Sequence, residues 1–235
     1  MSNIRLYYPD SIVENSTSLL SKEHTHYLVN VMRAKRGSKV NFFNTNGEWL
    51  SEIIFLDRDR VEVKFLKKIK NSFRPKSIEL AICLVKKTPM EIIIQKSTEL
   101  GVTKFYPIIS ERTEVKELNL QRARKIAIEA TEQSNQLHVP EISKPLKLKD
   151  FINSLTDTKL FFADINSKNK VDKKMIENIK TISVLIGPEG DFSPNEREFI
   201  ITNKNVIPFS LSKNILRTDT ATISSLTILS YFLNL

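Results

Sequence analysis

Cysteine is almost absent from this chain: Cys83 is the only one in 235 residues, so no internal disulfide can form and no thiolate cluster can hold zinc. Cys83 sits in an apolar stretch with no local activating group, so it reads as a small buried hydrophobe in a reducing compartment. Histidine is nearly as scarce. Of His24, His26 and His138, the first two are two apart on a predicted helix and face different ways, which argues against a metal site. Glycine is rare too, at five residues, and neither Gly-x-x-x-x-Gly-Lys-Ser/Thr nor Gly-x-Gly-x-x-Gly occurs. That excludes a P-loop and a dinucleotide-binding fingerprint, and the lack of Gly-x-Ser-x-Gly removes a nucleophile elbow. No apolar run approaches the length of a membrane span, and Met1-Ser2-Asn3-Ile4-Arg5 lacks the layout of a signal peptide. The expectation is a cytoplasmic protein with no membrane contact.

Positive charge is in surplus. The net charge is +9, which points to an anionic partner, with nucleic acid ahead of membrane. The surplus is denser at the front, with 12 basic against 8 acidic residues up to position 72 and 24 against 19 beyond it. Hydrophobic residues make up 40%, enough for a real core, and the length suits a small domain joined to a larger one.

The periodicity changes partway along the chain. Up to residue 72 it is mostly that of strands: Val61, Val63 and Phe65 alternate with Glu62 and Lys64. Asn46-Gly47, between the strand-like 40–44 and 48–56, supplies the positive φ angles of a tight hairpin, and Asp57-Arg58-Asp59 marks another turn. One helix starts with Ser21 as N-cap and places Leu28, Val31 and Met32 on one stripe. A small β-barrel or folded sheet with one helix is predicted over 1–72. The basic stretch 67–76, containing Pro75, reads as a linker.

From 73 to 235 strands alternate with helices. Strands are predicted at 78–85, 104–109, 160–163, 182–186 and 206–211, each followed by a helix. Thr88-Pro89-Met90-Glu91 has the form of a capping box with proline at the first helical position, and Gly101 closes that helix. Ser193-Pro194-Asn195-Glu196 repeats the device. This is an α/β pattern with a parallel sheet covered on both faces.

Two loops stand where parallel sheets bind ligands, at the carboxyl ends of strands. Ile186-Gly187-Pro188-Glu189-Gly190-Asp191 is stiff, and its glycines allow close backbone approach to a flat ligand. Leu211-Ser212-Lys213-Asn214-Ile215-Leu216-Arg217 runs to a helix start at Thr218-Asp219-Thr220-Ala221. Arg217 adds a full charge to the positive end of that helix, where a base acquiring negative charge would be stabilised. The alternative is that Arg217 pairs with Glu189 or Asp219.

At these loops the sequence resembles the RsmE family, the 16S rRNA (uracil-N3)-methyltransferases of the SPOUT superfamily. The resemblance runs through 26–33, His-Tyr-Leu-Val-Asn-Val-Met-Arg, and 95–102, Gln-Lys-Ser-Thr-Glu-Leu-Gly-Val. It continues through Ser110-Glu111-Arg112, Glu132-Gln133-Ser134, Val139-Pro140, the Gly-Pro-Glu-Gly loop and Ile215-Leu216-Arg217-Thr218-Asp219-Thr220-Ala221. It implies a PUA-like RNA-binding barrel over 1–72 and a SPOUT methyltransferase domain over 73–235 with a deep trefoil knot. It further implies a homodimer with the site near the subunit interface, a 16S rRNA or small-subunit partner, and 3-methyluridine as product, at uridine 1498 in the family's rRNA numbering. Departures are Asp191 and Ser212 where glycine is usual, Asn214 where a basic residue is usual, and Gln136 where arginine is common.

What the resemblance implies about the site follows from these loops. S-adenosylmethionine lies against Ile186, Gly187, Pro188, Glu189 and Gly190 and against Leu211, Ser212, Ile215, Leu216 and Thr218, with Leu211, Ile215 and Leu216 around its adenine. Arg217 and Glu189 are the catalytic candidates. Arg217 stabilises the uracil anion, while Glu189 either accepts the proton or holds the loop. Asp219 makes a poor base, since an ordinary aspartate titrates near about 3.9 and a helix N-terminus favours its charged form. His26, Arg33, Lys35, Arg36 and Arg112 are candidates for RNA contact, and Lys96 and Glu99 are spaced to form an ion pair. No metal is implied. The competing expectation is an RNA-binding or ribosome-assembly protein of the same fold without catalysis.

Overall fold

Val61, Val63 and Phe65 are buried and Lys64 is exposed, as the period-2 pattern requires, and they form the start of a long strand over Val61–Asn71. The computed structural model describes residues 4–73, 76–156 and 158–233. One compact unit takes in the chain up to Phe73 together with Thr131–Val139; the other holds Lys76–Ala130 and Pro140–Leu233.

The first unit is built on a five-stranded sheet of β1 (Arg5–Tyr7), β2 (Thr17–Leu19), β3 (Lys39–Asn44), β4 (Gly47–Leu56) and β5 (Val61–Asn71), in the order β1-β3-β4-β5-β2. Only the β1/β3 pair is parallel. Phe42, Trp49, Ile53, Val63 and Phe65 pack with Leu28 into its core. Leu28 lies just past a helix, α1 (Lys22–His26), whose N-cap Ser21 accepts a hydrogen bond from His24 N as predicted. The helix then widens into a π-turn over Tyr27–Val31, closed by Met32 N donating to Tyr27 O at 2.9 Å. That extra residue per turn rotates the stripe, so Leu28 is fully buried while Val31 is 57% exposed, contrary to the predicted shared face.

The β3–β4 turn is one residue earlier than expected. Thr45 and Asn46 form the loop and Gly47 already pairs with Asn44; of the predicted pair only Gly47 has a positive φ, +149°. The predicted linker 67–76 is a strand up to Asn71, because Lys67, Lys68 and Lys70 pair with Leu50, Trp49 and Glu48. Lysine stems tolerate a strand when their ammonium groups reach water; that of Lys68 lies over the Trp49 ring. Pro75 is outside the described residues, as are Met1, Ser2 and Asn3.

A buried polar network ties 131–139 into this unit. The Arg5 guanidinium lies over the Phe43 ring, its Nε donating to Glu48 Oε2 at 3.0 Å and its Nη1 to Thr131 O at 3.0 Å, and Nη2 donates to Gln136 O. Glu48 also accepts from Asn41 Nδ2, and Glu132 Oε1 from Tyr7 N.

The second unit has seven parallel strands: β6 (Ser77–Cys83), β7 (Val102–Ile109), β8 (Glu141–Ile142), β9 (Leu146–Lys147), β10 (Lys159–Ala163), β11 (Thr181–Ile186) and β12 (Val206–Phe209). Their order is β12-β10-β11-β6-β7-β8, with β9 also on β7. Ile182 to Ile186 are all at most 2% exposed. Successive residues face opposite sides, so both faces of the sheet are covered. The helices are α2 (Lys87–Glu99), α3 (Leu120–Gln133), α4 (Leu148–Asn153), α5 (Pro194–Thr202) and α6 (Thr218–Leu233). Phe151, Ile152 and Ile200 of α4 and α5 pack with Ala81, Phe162 and Leu185.

Three expectations are corrected in this unit. Strand ends shift by up to two residues, β6 stopping at Cys83 and β12 at Phe209. Thr88 is not an N-cap: α2 starts at Lys87, its cap Lys86 offers no side-chain bond, and Pro89 lies within the first turn, where its missing N–H costs nothing. Gly101 does close α2, with φ +88° and its N–H donating to Thr98 O. No α-helix follows β10; among the described residues 164–180 hold only a 3-10 turn at Lys173–Met175. The capping box at Ser193 is formed in both directions.

Cys83 ends β6 with no exposure, its thiol donating to Ser110 Oγ at 3.7 Å, and burial pushes it up to about 12. Below pH 9 the thiol is protonated folded or unfolded. Above pH 9 only the unfolded chain releases its proton, so stability falls until the pH passes the folded value. In paired denaturant titrations the advantage of the native protein over Cys83→Ala shrinks by about 1.4 kcal/mol per pH unit above 9; a constant difference would show that the folded thiol ionises normally. Glu48→Ala strands the Arg5 guanidinium, buried to 6% side-chain exposure, and costs about 3–5 kcal/mol in unfolding free energy. A loss under about 1 kcal/mol would mean that Arg5 swings out to water.

Candidate active site

Parallel pairing places the carboxyl ends of β10, β11 and β12 on one edge of the sheet, and a cavity of about 660 Å³, counting its open mouth, lies there. Ala163, Asp164 and Ile165 line it after β10, and Ile186, Gly187, Pro188, Glu189 and Asp191 after β11. The segment after β12 contributes Leu211, Ser212, Asn214, Ile215, Leu216, Thr218 and Ala221.

The β11 loop is held by steric fit. A Cβ at Gly187 would stand 3.1 Å from Phe192 Cε2, and Phe192 is buried edge-on against Phe162. Glycine lets the ring press against the loop. Asp191 N donates to Pro188 O at 3.0 Å, and Asp191 takes a left-handed φ of +58° while its carboxylate accepts from Phe192 N. Aspartate bears this conformation better than most residues. Next, Ser193 and Glu196 cap α5. Glu196 is buried, and while one carboxylate oxygen accepts from Ser193 N, the other accepts from Glu111 N at 2.8 Å. The adjacent Arg112 donates from Nη1 to Gly190 O at 2.8 Å. Ser110 and Thr113, hydrogen-bonded to each other, close the turn that presents Arg112.

The second loop joins the first through Thr218, whose hydroxyl donates to Gly187 O at 3.4 Å. Arg217 stands at the mouth of α6, its carbonyl accepting from Ala221 N, and its side chain is exposed. Among the described residues it pairs with neither Glu189 nor Asp219. Asp219 accepts from Thr220 N at 2.8 Å, a local capping role. Glu189 is exposed, and among the described residues its side chain makes no hydrogen bond.

Nine of the ten residues predicted to hold a cofactor line this cavity; Gly190 does not, and instead offers its carbonyl to Arg112. The β10 contribution was missed. Asp164 is buried and accepts from Arg197 of α5 at 2.7 Å, which fixes α5 against the β10 loop. The signal was available, since the predicted strand 160–163 ends at the same edge as the other two. Lys96 and Glu99 form the expected ion pair at 2.9 Å. His26, Arg33, Lys35 and Arg36 are all exposed in the first unit, His26 at the end of α1 and the other three before β3, with Arg33 in a left-handed conformation. Among the described residues no His, Cys, Asp and Glu cluster suits a metal, and no helix is long and apolar enough to cross a membrane.

Comparison with known proteins adds an independent line. Residues 72–230 match the family model of an RNA methyltransferase domain and residues 20–66 that of an RNA methyltransferase PUA domain. The chain is 34% identical to ribosomal RNA small subunit methyltransferase E of Buchnera aphidicola subsp. Schizaphis graminum, over 96% of this chain and 94% of that one. It is 30% identical to the protein of the same name from Rickettsia conorii, over 94% and 93%. The crystal structure of a ribosomal RNA small subunit methyltransferase E from Neisseria gonorrhoeae, bound to S-adenosyl methionine, superposes with a TM-score of 0.87 at 27% identity, covering 97% of both chains. With both domain models matched in order and the two loops meeting at one cavity, the chain belongs to the ribosomal RNA small subunit methyltransferase E family.

Proposed function

We propose that this protein methylates N3 of a uridine in 16S rRNA with S-adenosylmethionine, at uridine 1498 in the family's rRNA numbering. The observation that carries the reading is the meeting of the two loops at one cavity, with exposed Arg217 between the lining residues Leu216 and Thr218. The lining suits such a donor: Ile186, Pro188, Leu211, Ile215 and Leu216 offer apolar surface to an adenine, and Glu189 and Asp191 offer negative charge to a cation. When bound, S-adenosylmethionine supplies a methyl carbon made electrophilic by its sulfonium.

The chain's own work is at the uracil. N3 carries a proton and becomes nucleophilic when that proton leaves. Arg217, with the positive end of the 16-residue α6 behind it, stabilises the resulting anion through charge-assisted hydrogen bonds. Glu189, with its carboxylate free of protein partners among the described residues, takes the N3 proton. The N–C bond forms as the S–C bond breaks, and positioning by the two loops supplies much of the rate. In this reading 1–72 is a PUA-like barrel that grips RNA with His26, Arg33, Lys35 and Arg36, assisted by Arg112. The part from 73 on is a SPOUT domain with a deep trefoil knot, and the protein works in the cytoplasm as a homodimer.

Incubation with S-adenosylmethionine and unmodified small subunits, followed by reverse transcription, yields a new stop at the target, because a methyl at N3 removes a Watson-Crick donor. Donor binding without a new stop would instead support an RNA-binding protein that lacks catalysis. Arg217→Ala lowers single-turnover methyl transfer by about 10²–10³-fold and leaves the donor Kd within a few fold; equal loss of both would make Arg217 a structural residue.

A further inference from the structure

Between β10 and β11 the chain crosses the sheet without an α-helix, and the nine residues 166–174 of this crossing hold four lysines and one aspartate. Lys168, Lys170, Lys173 and Lys174 are all exposed, and among the described residues none of them is in an ion pair. Asp172 is already used, its carboxylate accepting from Met175 N to cap the 3-10 turn. Asp172 offsets one of the four charges, and the remaining surplus of like charge repels itself within a Debye length of about 8 Å.

The segment leaves directly from the cavity, whose lining includes Asp164 and Ile165. It is also fastened to the chain that leads into the second loop. Asn169 O accepts from Ser210 N at 2.8 Å, Ser167 Oγ donates to Pro208 O at 3.1 Å, and Lys170 Nζ reaches Ser210 O. Two residues past that stitch, Ser212 lines the cavity and Lys213 is exposed. Lys168 and Lys170 are therefore held beside the chain that enters the second loop, and Lys173 and Lys174 follow them on the same crossing.

We infer that 166–174 is a phosphate-binding arm: Lys168, Lys170, Lys173 and Lys174 hold the backbone of the RNA strand next to the nucleotide presented to the cavity. The inference rests on the proposed RNA substrate and adds the surface that tracks that substrate's backbone. Lysine suits this task, being a point charge on a flexible stem that accepts phosphates without reading sequence. The arm contributes affinity and salt dependence; it takes no part in donor binding or in the chemical step.

The test uses the full-length protein with all four lysines changed to glutamine, and a second variant with all four changed to arginine. Binding to unmodified small-subunit RNA is followed across salt concentrations. Each lost contact to single-stranded phosphate lowers the slope of log K against log salt by about 0.7, so the glutamine variant loses about 2 to 3 from the slope. Its affinity at 0.15 M salt falls roughly ten- to hundredfold. The arginine variant keeps the native slope, and the donor Kd and single-turnover rate at saturating RNA in low salt are native in both. An unchanged slope in the glutamine variant, with native protein that binds and methylates RNA, overturns the arm alone. A slope lost equally in the arginine variant overturns it too, since charge would be retained. Native protein that neither binds nor methylates RNA overturns the arm together with the reading on which it rests.

Discussion

Parallel strand pairing is the constraint on which the site depends. Once β10, β11 and β12 run the same way, their exits are at one edge, and three segments far apart in sequence must share a small volume. The contacts that follow adjust this arrangement: Thr218 bonds to Gly187, Asp164 to Arg197, and Arg112 to Gly190. In an alternating antiparallel sheet β10 would exit at the edge opposite its neighbours β11 and β12, and the Asp164–Arg197 pair would be lost.

Around that edge, backbone conformation is held by side chains that do no chemistry themselves. Phe192 presses on position 187 so closely that a Cβ there would displace its ring, Asp191 absorbs a left-handed turn, and Glu196 serves its own helix and the Glu111-Arg112 turn at once. A buried carboxylate that satisfies two backbone N–H groups on different segments is strongly fixed, because leaving either donor unpaired in a dry interior is costly. The first unit uses the same device with opposite charge, Arg5 satisfying carbonyls of 131–136 while resting on Phe43.

Elements with a local cause were legible in the sequence. The capping box at Ser193, the glycine closing α2 and the alternation of Val61, Val63 and Phe65 all act within a few residues. The two loops were legible because strand exits and helix starts flank them. The π-turn after α1 was not, since no residue type announces one extra residue in a turn. Thr88 misled for a related reason: the sequence of a capping box is present, but the chain enters the helix earlier, at Lys87. The lysines of β5 resembled a linker because their strand partners are some twenty residues away. Asp164 and the crossing after β10 went unread because a helix was assumed where none forms, and the Asp164–Arg197 pair spans 33 positions.

The sealed thiol of Cys83 has a practical side. With its only native sulfhydryl enclosed and held protonated far above neutrality, the folded protein is in effect blank toward maleimide dyes. A single cysteine placed on an exposed stretch such as 166–174 or 213–215 would then be labelled alone, without first deleting the native one. Fluorescence from such a probe could follow the rim of the cavity as donor and RNA arrive, in a molecule whose core is left untouched.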